Sequence, residues 1–329
     1  MAIRVGTYPY GDRAFAVLAG TVRRAKELDP FAPVTVVVER GTLALSVRRR
    51  LASTPPGVVH VRCTTWARLA AELAQPWLSA DGRTLADAAI ELEAVRAALA
   101  EGAPPRLAGA REQPATLRAL ARTYRDLAPV PDGALDALAA QSPRAGDVVE
   151  LVRRARAALS GCVGTAELLG AAAAEVRHDP GCAAEACGQV AVYLPRRTGS
   201  PELELLEALG DCTAVEVVVG TVGDAAADAE ARRLVARLGD RPGGVQVSGG
   251  TRRADARAPV PTWVRSAPSA DAEVLLALRH LMGRNADGVP LERMALLHGG
   301  SSQDRQLARD ALAAAGVPAH GGSARALST

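Results

Sequence analysis

Short apolar segments alternate with amphipathic helical patterns through the first quarter of the chain. Val34 to Val38 reads VTVVV, a β-branched run typical of a strand buried on both faces. Ala2 to Thr7 and Val58 to Cys63 are the other two predicted strands of this region. A helical pattern follows each run, and Arg13 to Leu28 places its apolar residues on one face. This alternation predicts a parallel sheet with right-handed crossovers.

The turn after the first strand has the glycine spacing of a phosphate-binding loop without its charged residues. Gly6 and Gly11 match the two glycines of G-x-x-x-x-G-K-[ST], in which lysine meets the phosphates and the hydroxyl holds Mg²⁺. Asp12 stands at the lysine position and Arg13 at the hydroxyl position. A carboxylate about 4 Å from a phosphate costs about 4 kcal/mol at an effective dielectric near 20. We therefore interpret this turn as a degenerate nucleotide loop and expect Asp12 to cap the next helix.

Composition limits the chemistry available to the chain. Lys26 is the single lysine among 39 basic residues, which excludes a lysine-bearing phosphate loop anywhere in the 329 residues. The net charge of +3 says little about partners. The five cysteines lack metal-ligand spacing and the five histidines are scattered, so we assign no catalytic residue and no metal site. Free thiols and the lack of a long apolar run predict a cytoplasmic protein without a membrane partner.

The pattern changes near Leu78, and the chain is almost wholly helical from Thr84 to about Ala184. Strands are predicted again at Gln189 to Leu194 and Val215 to Val219, with two more at 245–248 and 262–266. The last part of the chain predicts helices at 269–282 and 302–315 around a strand at Met294 to Leu297. We expect four segments: the first half of a sheet domain (1–78), a helical insertion (79–186), the second half of the sheet domain (187–262) and a truncated second domain (263–329).

The order of these elements resembles UvrD-like superfamily 1 helicases, in the form found at the N-terminus of AddB-type helicase–nuclease subunits. Val34 to Leu51 is similar to the strand and Arg-rich helix that follow the phosphate loop. Val61 to Leu69 (VRCTTWARL) is similar to the next motif, with Thr65 and Trp66 at its Thr–aromatic pair. Ser269 to Pro318 resembles the opening of a second RecA-like domain. The resemblance implies an α/β fold: a RecA-like parallel sheet flanked by helices, with a large all-helical insertion, followed by the start of a second RecA-like domain.

The chemistry of the family's nucleotide site is missing at each corresponding position. Val190 to Leu209 is similar to the motif whose Asp-Glu pair binds Mg²⁺, but Tyr193, Leu194 and Pro195 occupy its place. The turn ending at Asp224 lacks the glutamine that senses nucleotide, and the family's γ-phosphate arginine is absent after Leu297. Because phosphoryl transfer depends on positioned charge, this loss indicates a module that no longer hydrolyses ATP and needs no cofactor.

The resemblance implies a DNA-binding, scaffolding module of a helicase–nuclease that processes double-strand-break ends in recombinational repair. Full-length members of this PD-(D/E)XK nuclease family are ATP-dependent helicase–exonuclease subunits, and that nuclease domain would lie beyond residue 329. The implied partners are single-stranded DNA or a duplex end, and an active helicase or nuclease subunit. The candidate DNA-binding residues are Arg40, Arg48, Arg49, Arg50, Thr65 and Trp66. As alternatives, Trp66 would pack on the sheet at a helix start, and Arg48 to Arg50 would fan out as a solvated face.

Two other functions stay open at the level of the sequence. The chain would be a divergent ATP-dependent helicase if Arg13 replaced the lysine and Asp12 or Asp224 held Mg²⁺. It would be a protein-interaction module if it had no affinity for DNA. Nucleotide binding separates the first alternative from the scaffold, and salt-dependent DNA binding separates the second.

Overall fold

The computed structural model describes residues 3–110, 112–196, 198–239, 246–248, 263–298 and 302–320. The chain divides into an N-terminal unit, Met1–Asp255, and a C-terminal unit, Ala256–Thr329. Val245, Thr262 and the turn at 299–301 lie outside the described residues. The prediction of a strand at 262–266 is wrong for the described residues 263–266, which form no strand.

A parallel sheet forms the centre of the N-terminal unit. Its strands are β1 (Ile3–Pro9), β2 (Val34–Val38), β3 (Val61–Thr65), β6 (Gln189–Tyr193), β7 (Val215–Thr221) and β8 (Gln246–Ser248). They lie in the order β3-β2-β6-β7-β1-β8, and every pairing among them is parallel. The mixed α/β class and the parallel sheet predicted from the alternation are confirmed.

Helices cover both faces of this sheet. The helices of the N-terminal unit are α1 (Asp12–Ala25), α2 (Gly41–Ala52), α3 (Trp66–Leu73), α4 (Gln75–Asp81), α5 (Ala88–Gly102), α6 (Pro114–Leu127), α7 (Asp132–Ala139), α8 (Pro143–Ala158), α9 (Thr165–His178), α10 (Pro180–Cys187), α11 (Ser200–Cys212) and α12 (Ala229–Gly239). The chain moves from β1 to β2 and β3 in one direction across the sheet and returns through β6 and β7 in the other. Since right-handed crossovers in opposite directions place their helices on opposite faces, the sheet is covered on both sides.

Alternate residues along the strands belong to two separate cores. On one face, Phe15 and Leu18 of α1 are buried in a cluster with Val36 of β2. On the other face, Val37 lies in a cluster with Leu205 of α11 and with residues of α3, α9 and α12. Successive side chains of a strand point to opposite faces, so a run such as VTVVV supplies both cores at once.

The helical insertion is closed by a pair of two-residue strands that the sequence did not reveal. β4 (Thr84–Leu85) pairs in parallel with β5 (Cys162–Val163), so the entry and the exit of the helical block lie side by side. Helices α5, α6 and α8 share their own apolar cluster. Helices α9 and α10, which fall within the predicted insertion at 79–186, instead pack in the core under the sheet.

The C-terminal unit contains α13 (Ala270–Ala286) and α14 (Ser302–Ala314), which pack on each other. The hydroxyl of Ser269 accepts a hydrogen bond from the amide of Ala272 at 3.3 Å and so caps the start of α13. The strand predicted at Met294 to Leu297 is wrong, because these residues follow a 3₁₀ turn and form no strand. An apolar alternation forms a strand only where another strand can pair with it.

Candidate nucleic-acid interface

The residues singled out from the sequence lie mainly at one edge of the sheet. Because the strands are parallel, their carboxyl ends meet at a single edge, which is where open α/β sheets bind ligands. Tyr10 follows β1, Arg40 follows β2, Leu194 follows β6 and Val222 follows β7, while Thr65 ends β3. The tertiary structure therefore brings together the ends of segments that are far apart in the chain.

The first βα turn is shorter than its glycine spacing indicates. β1 continues in register with β7 as far as Pro9, and the amide of Tyr10 donates to the carbonyl of Thr221 at 3.2 Å. Gly6 is thus inside the strand, where a Cβ would lie 2.3 Å from the hydroxyl oxygen of Tyr8. Only Tyr10 and Gly11 separate the strand from α1, and two residues do not form a loop that encloses a phosphate.

At the start of α1, Asp12 does not cap the helix as predicted but forms an ion pair with another helix. Asp12 is not the N-cap: Gly11 holds that position with φ 94°, and Asp12 is the first helical residue. The Asp12 carboxylate accepts a hydrogen bond of 2.5 Å from Arg50, whose guanidinium carbon lies 4.0 Å from the centre of the Phe15 ring. Arg13 is exposed in the first turn of α1. A carboxylate at the lysine position is therefore held by an arginine of α2.

The end of β6 carries apolar side chains, as its sequence indicates. Tyr193 is buried in the core beneath α1 and α2, Pro195 is also buried, and Leu194 has φ 53°. A carboxylate reaches this segment from the end of another strand: Glu39, just after β2, accepts a hydrogen bond of 2.5 Å from the amide of Arg196. The sequence offered no signal for this contact, because the two residues are 157 positions apart.

Carboxylates also accept hydrogen bonds from the backbone amides that follow β7. The two oxygens of Asp228 accept hydrogen bonds from the amides of Val222 and Gly223, each at 2.8 Å, and Asp228 is buried. Asp224 accepts hydrogen bonds from the amides of Ala227 and Ala226, and these bonds hold the pKa of its carboxyl below the usual range. The chain's own acids thus fill the positions at which amides would contact a phosphate.

A small basic pocket lies at the carboxyl end of β3, between α2 and α3. It has a volume of about 200 Å³ and is bordered by two exposed arginines, Arg48 and Arg68, together with Thr65. None of the described residues that line it is acidic. The remaining lining residues are Gly41, Ala44, Leu45, Cys63 and Thr64. Burial raises the pKa of the Cys63 thiol, and the nearby charge of Arg48 opposes that rise. Arg68 was not selected from the sequence, although it lies within the same motif, three residues after Thr65.

The other candidate residues are distributed around this pocket without entering it. Trp66 is half-buried and packs against the core under α3, which is the alternative foreseen for it. The arginine run fans out: Arg50 turns to α1, Arg49 is exposed, and Arg48 alone borders the pocket. Arg40 is exposed at the N-cap position of α2.

No known family model and no curated protein matches this sequence.

Within the described ranges, the His, Cys, Asp and Glu side chains form no group of three that would hold a metal ion. Across the same residues, every helix is too short or too polar to cross a bilayer.

Proposed function

We propose that this chain is a helicase-like scaffold that binds DNA at the Arg48–Arg68 pocket and does not hydrolyse ATP. It would belong to a complex that processes DNA ends, in which an active helicase or nuclease subunit supplies the chemistry. The observation that carries the proposal is the pocket itself: two arginines and a threonine border it at a strand end, and none of the described residues that line it is acidic. Such a group of donors suits a phosphodiester, and it reads no base sequence.

The helicase-like part of the proposal has support from the sheet order. The segments that resemble the phosphate loop, the Mg²⁺ motif and the nucleotide-sensing turn are the ends of β1, β6 and β7. These three strands are neighbours in the sheet, so their ends converge as the parts of one nucleotide site would. RecA-like identity remains part of the proposal.

The absence of hydrolysis has support from the carboxylates at this edge. A nucleotide would have to approach Asp228, Asp224 and Glu39, each of which already accepts backbone hydrogen bonds. Each carboxylate about 4 Å from a phosphate would oppose binding by about 4 kcal/mol at an effective dielectric near 20. The divergent-helicase alternative needs Asp12 or Asp224 as a metal ligand, yet Asp12 is paired with Arg50, and Asp224 accepts hydrogen bonds from the amides of Ala226 and Ala227.

The test is DNA binding by fluorescence anisotropy with labelled single strands and duplex ends. We expect the double variant Arg48→Ala/Arg68→Ala to bind single strands at least about tenfold more weakly, with a salt slope smaller by about 1 to 2. Arg118→Ala/Arg122→Ala, which removes two exposed arginines from α6, is the matched control and should leave binding unchanged. Equal affinity of both double variants would contradict the assigned site.

Two further results would contradict the function itself. Micromolar, Mg²⁺-dependent binding of a fluorescent ATP analogue would favour the divergent helicase. A lack of salt-sensitive binding to any DNA would favour the protein-interaction module.

A further inference from the structure

An exposed indole lies beside several arginines in the C-terminal unit. Trp263 is 70% exposed, and its ring centre lies 6.0 Å from that of His280 on α13. Both border a groove of about 960 Å³ along α13, a volume that suits a sizeable ligand. An indole left in water forgoes most of the stabilisation that burying it would bring, so its exposure beside a groove points to a ligand.

Charge and planarity together indicate the chemistry of that ligand. Among the described residues that line the groove, Arg265, Arg279 and Arg284 are basic, and Glu273 and Asp287 are acidic. Asp287 is held by Arg284 at 3.3 Å. Arg265 and Arg279 are exposed along the same groove, as is the second acid, Glu273, so the cations outnumber the acids. An exposed aromatic next to arginines is the arrangement with which proteins bind single-stranded nucleic acid, since bases stack on the ring and phosphates meet the cations.

The shape of α13 leaves room for such a strand. Leu276, His280 and Gly283 recur at spacings of three and four residues, so they share the face that borders the groove. A Cβ added at Gly283 would meet no atom within 4 Å, which means that the groove is open above this residue.

We infer that the Trp263 groove of the C-terminal unit is a second strand-binding site, which stacks one or more bases of single-stranded DNA on the indole. An acidic peptide fits less well, because its side chains gain nothing from an indole face. The inference rests on the proposed function only for the choice of DNA over RNA.

The decisive experiment observes Trp263 itself. The chain has three tryptophans, so Trp66→Phe/Trp77→Phe leaves Trp263 as the sole indole emitter. We expect titration with oligothymidylate to quench its emission, with an apparent affinity that falls as salt rises. Unchanged emission while anisotropy reports binding would overturn the inference, and so would equal quenching by polyglutamate.

Three variants test the groove by affinity. Trp263→Ala should weaken binding of single strands about tenfold, whereas Val264→Ala at the adjacent exposed residue should not. Gly283→Leu should block the groove without removing a contact group, and it should not destabilise a helix interior. Gly133→Leu in α7, where a Cβ is equally free, is its control.

The outcomes separate this inference from the proposed function. If the Arg48→Ala/Arg68→Ala variant loses binding and DNA does not quench Trp263 emission, the pocket of the N-terminal unit is supported and the second site is refuted. If oligothymidylate quenches Trp263 emission while the Arg48→Ala/Arg68→Ala variant binds normally, the second site is supported and the first is refuted.

Discussion

Arg24 of α1 and Glu216 of β7 form an ion pair of 2.9 Å at the border between helix and sheet. Glu216 is the only acid in a buried strand of otherwise apolar or small residues, and 9% of it is exposed. The Arg24 side chain is half exposed and also donates to the hydroxyl of Thr21. The pair therefore lets a carboxylate lie in the sheet beside the first strand.

Removing the guanidinium should destabilise the fold, because Glu216 would keep its charge without a partner. We expect Arg24→Met to lower the free energy of unfolding by about 1–2 kcal/mol, less than for a fully buried pair because Arg24 is half exposed. Arg24→Met/Glu216→Gln should recover part of the loss. Urea unfolding of both variants measures these free energies, and an Arg24→Met protein as stable as the wild type would contradict the prediction.

Glu216 should also affect the ionisation of Tyr8. Burial and the charge of Glu216 raise the pKa of the Tyr8 hydroxyl, so Glu216→Gln should lower that pKa toward 10 in a phenolate titration.

Asp228 should stabilise the turn after β7 through its two hydrogen bonds. Asp228→Ala leaves the amides of Val222 and Gly223 without their acceptors, so we expect a loss of about 2 kcal/mol in unfolding free energy. Asp126→Ala, at an exposed carboxylate of α6, is the comparison and should change stability by less than about 0.5 kcal/mol. If the two variants unfold at the same denaturant concentration, the hydrogen bonds of Asp228 contribute little to the stability of the fold.

Gly188 should tolerate no side chain. Its φ is 59° and its ψ −145°, and a Cβ there would lie 1.8 Å from the carbonyl oxygen of Pro33. Gly188 leads directly into β6 and Pro33 directly into β2, and these strands are neighbours in the sheet, so neither backbone segment can move easily. We expect Gly188→Ala to cost about 3 kcal/mol or more, or to prevent folding. Gly161→Ala, where a Cβ is free of contacts, is the control, and thermal unfolding distinguishes the two.

Stability should fall at alkaline pH. Burial raises the pKa of Cys187 above its ordinary value of 9, and it does the same for Cys63 and Cys212. A group whose pKa is higher in the folded state stabilises that state fully below the unfolded pKa and loses this effect as pH rises through the folded value. The free energy of unfolding should therefore decline from about pH 9 upward. Cys187→Ala should reduce the decline, whereas Cys182→Ala, at an exposed thiol, should leave it unchanged.

The proposed site could be predicted only in part. Thr65 and Arg48 were chosen from the sequence, and the structure places both beside one pocket. Arg68 borders it too and lies within the same motif as Thr65, but only the Thr–aromatic pair of that motif pointed to DNA. The choice of Trp66 for stacking has no support, since its ring packs on the core, while the exposed Trp263 received no function.

The sequence could not predict which carboxylates accept hydrogen bonds from the amides at the strand ends. Glu39 and the amide of Arg196 come from different strands, and Asp228 folds back on the strand end before it. Such contacts depend on which strands are neighbours and on where each backbone turns. A residue pattern along one segment contains neither piece of information.

The sequence by itself determined the main strands and helices of the N-terminal unit, because β-branched runs, helical spacing and Pro or Gly breaks act over a few residues. It also determined that no lysine can meet a phosphate at the first turn. Only the tertiary structure decided that β1 extends through Gly6 to Pro9, since that length depends on pairing with β7. It likewise decided that Met294 to Leu297 form no strand, because strand formation requires a pairing partner that the local pattern cannot supply.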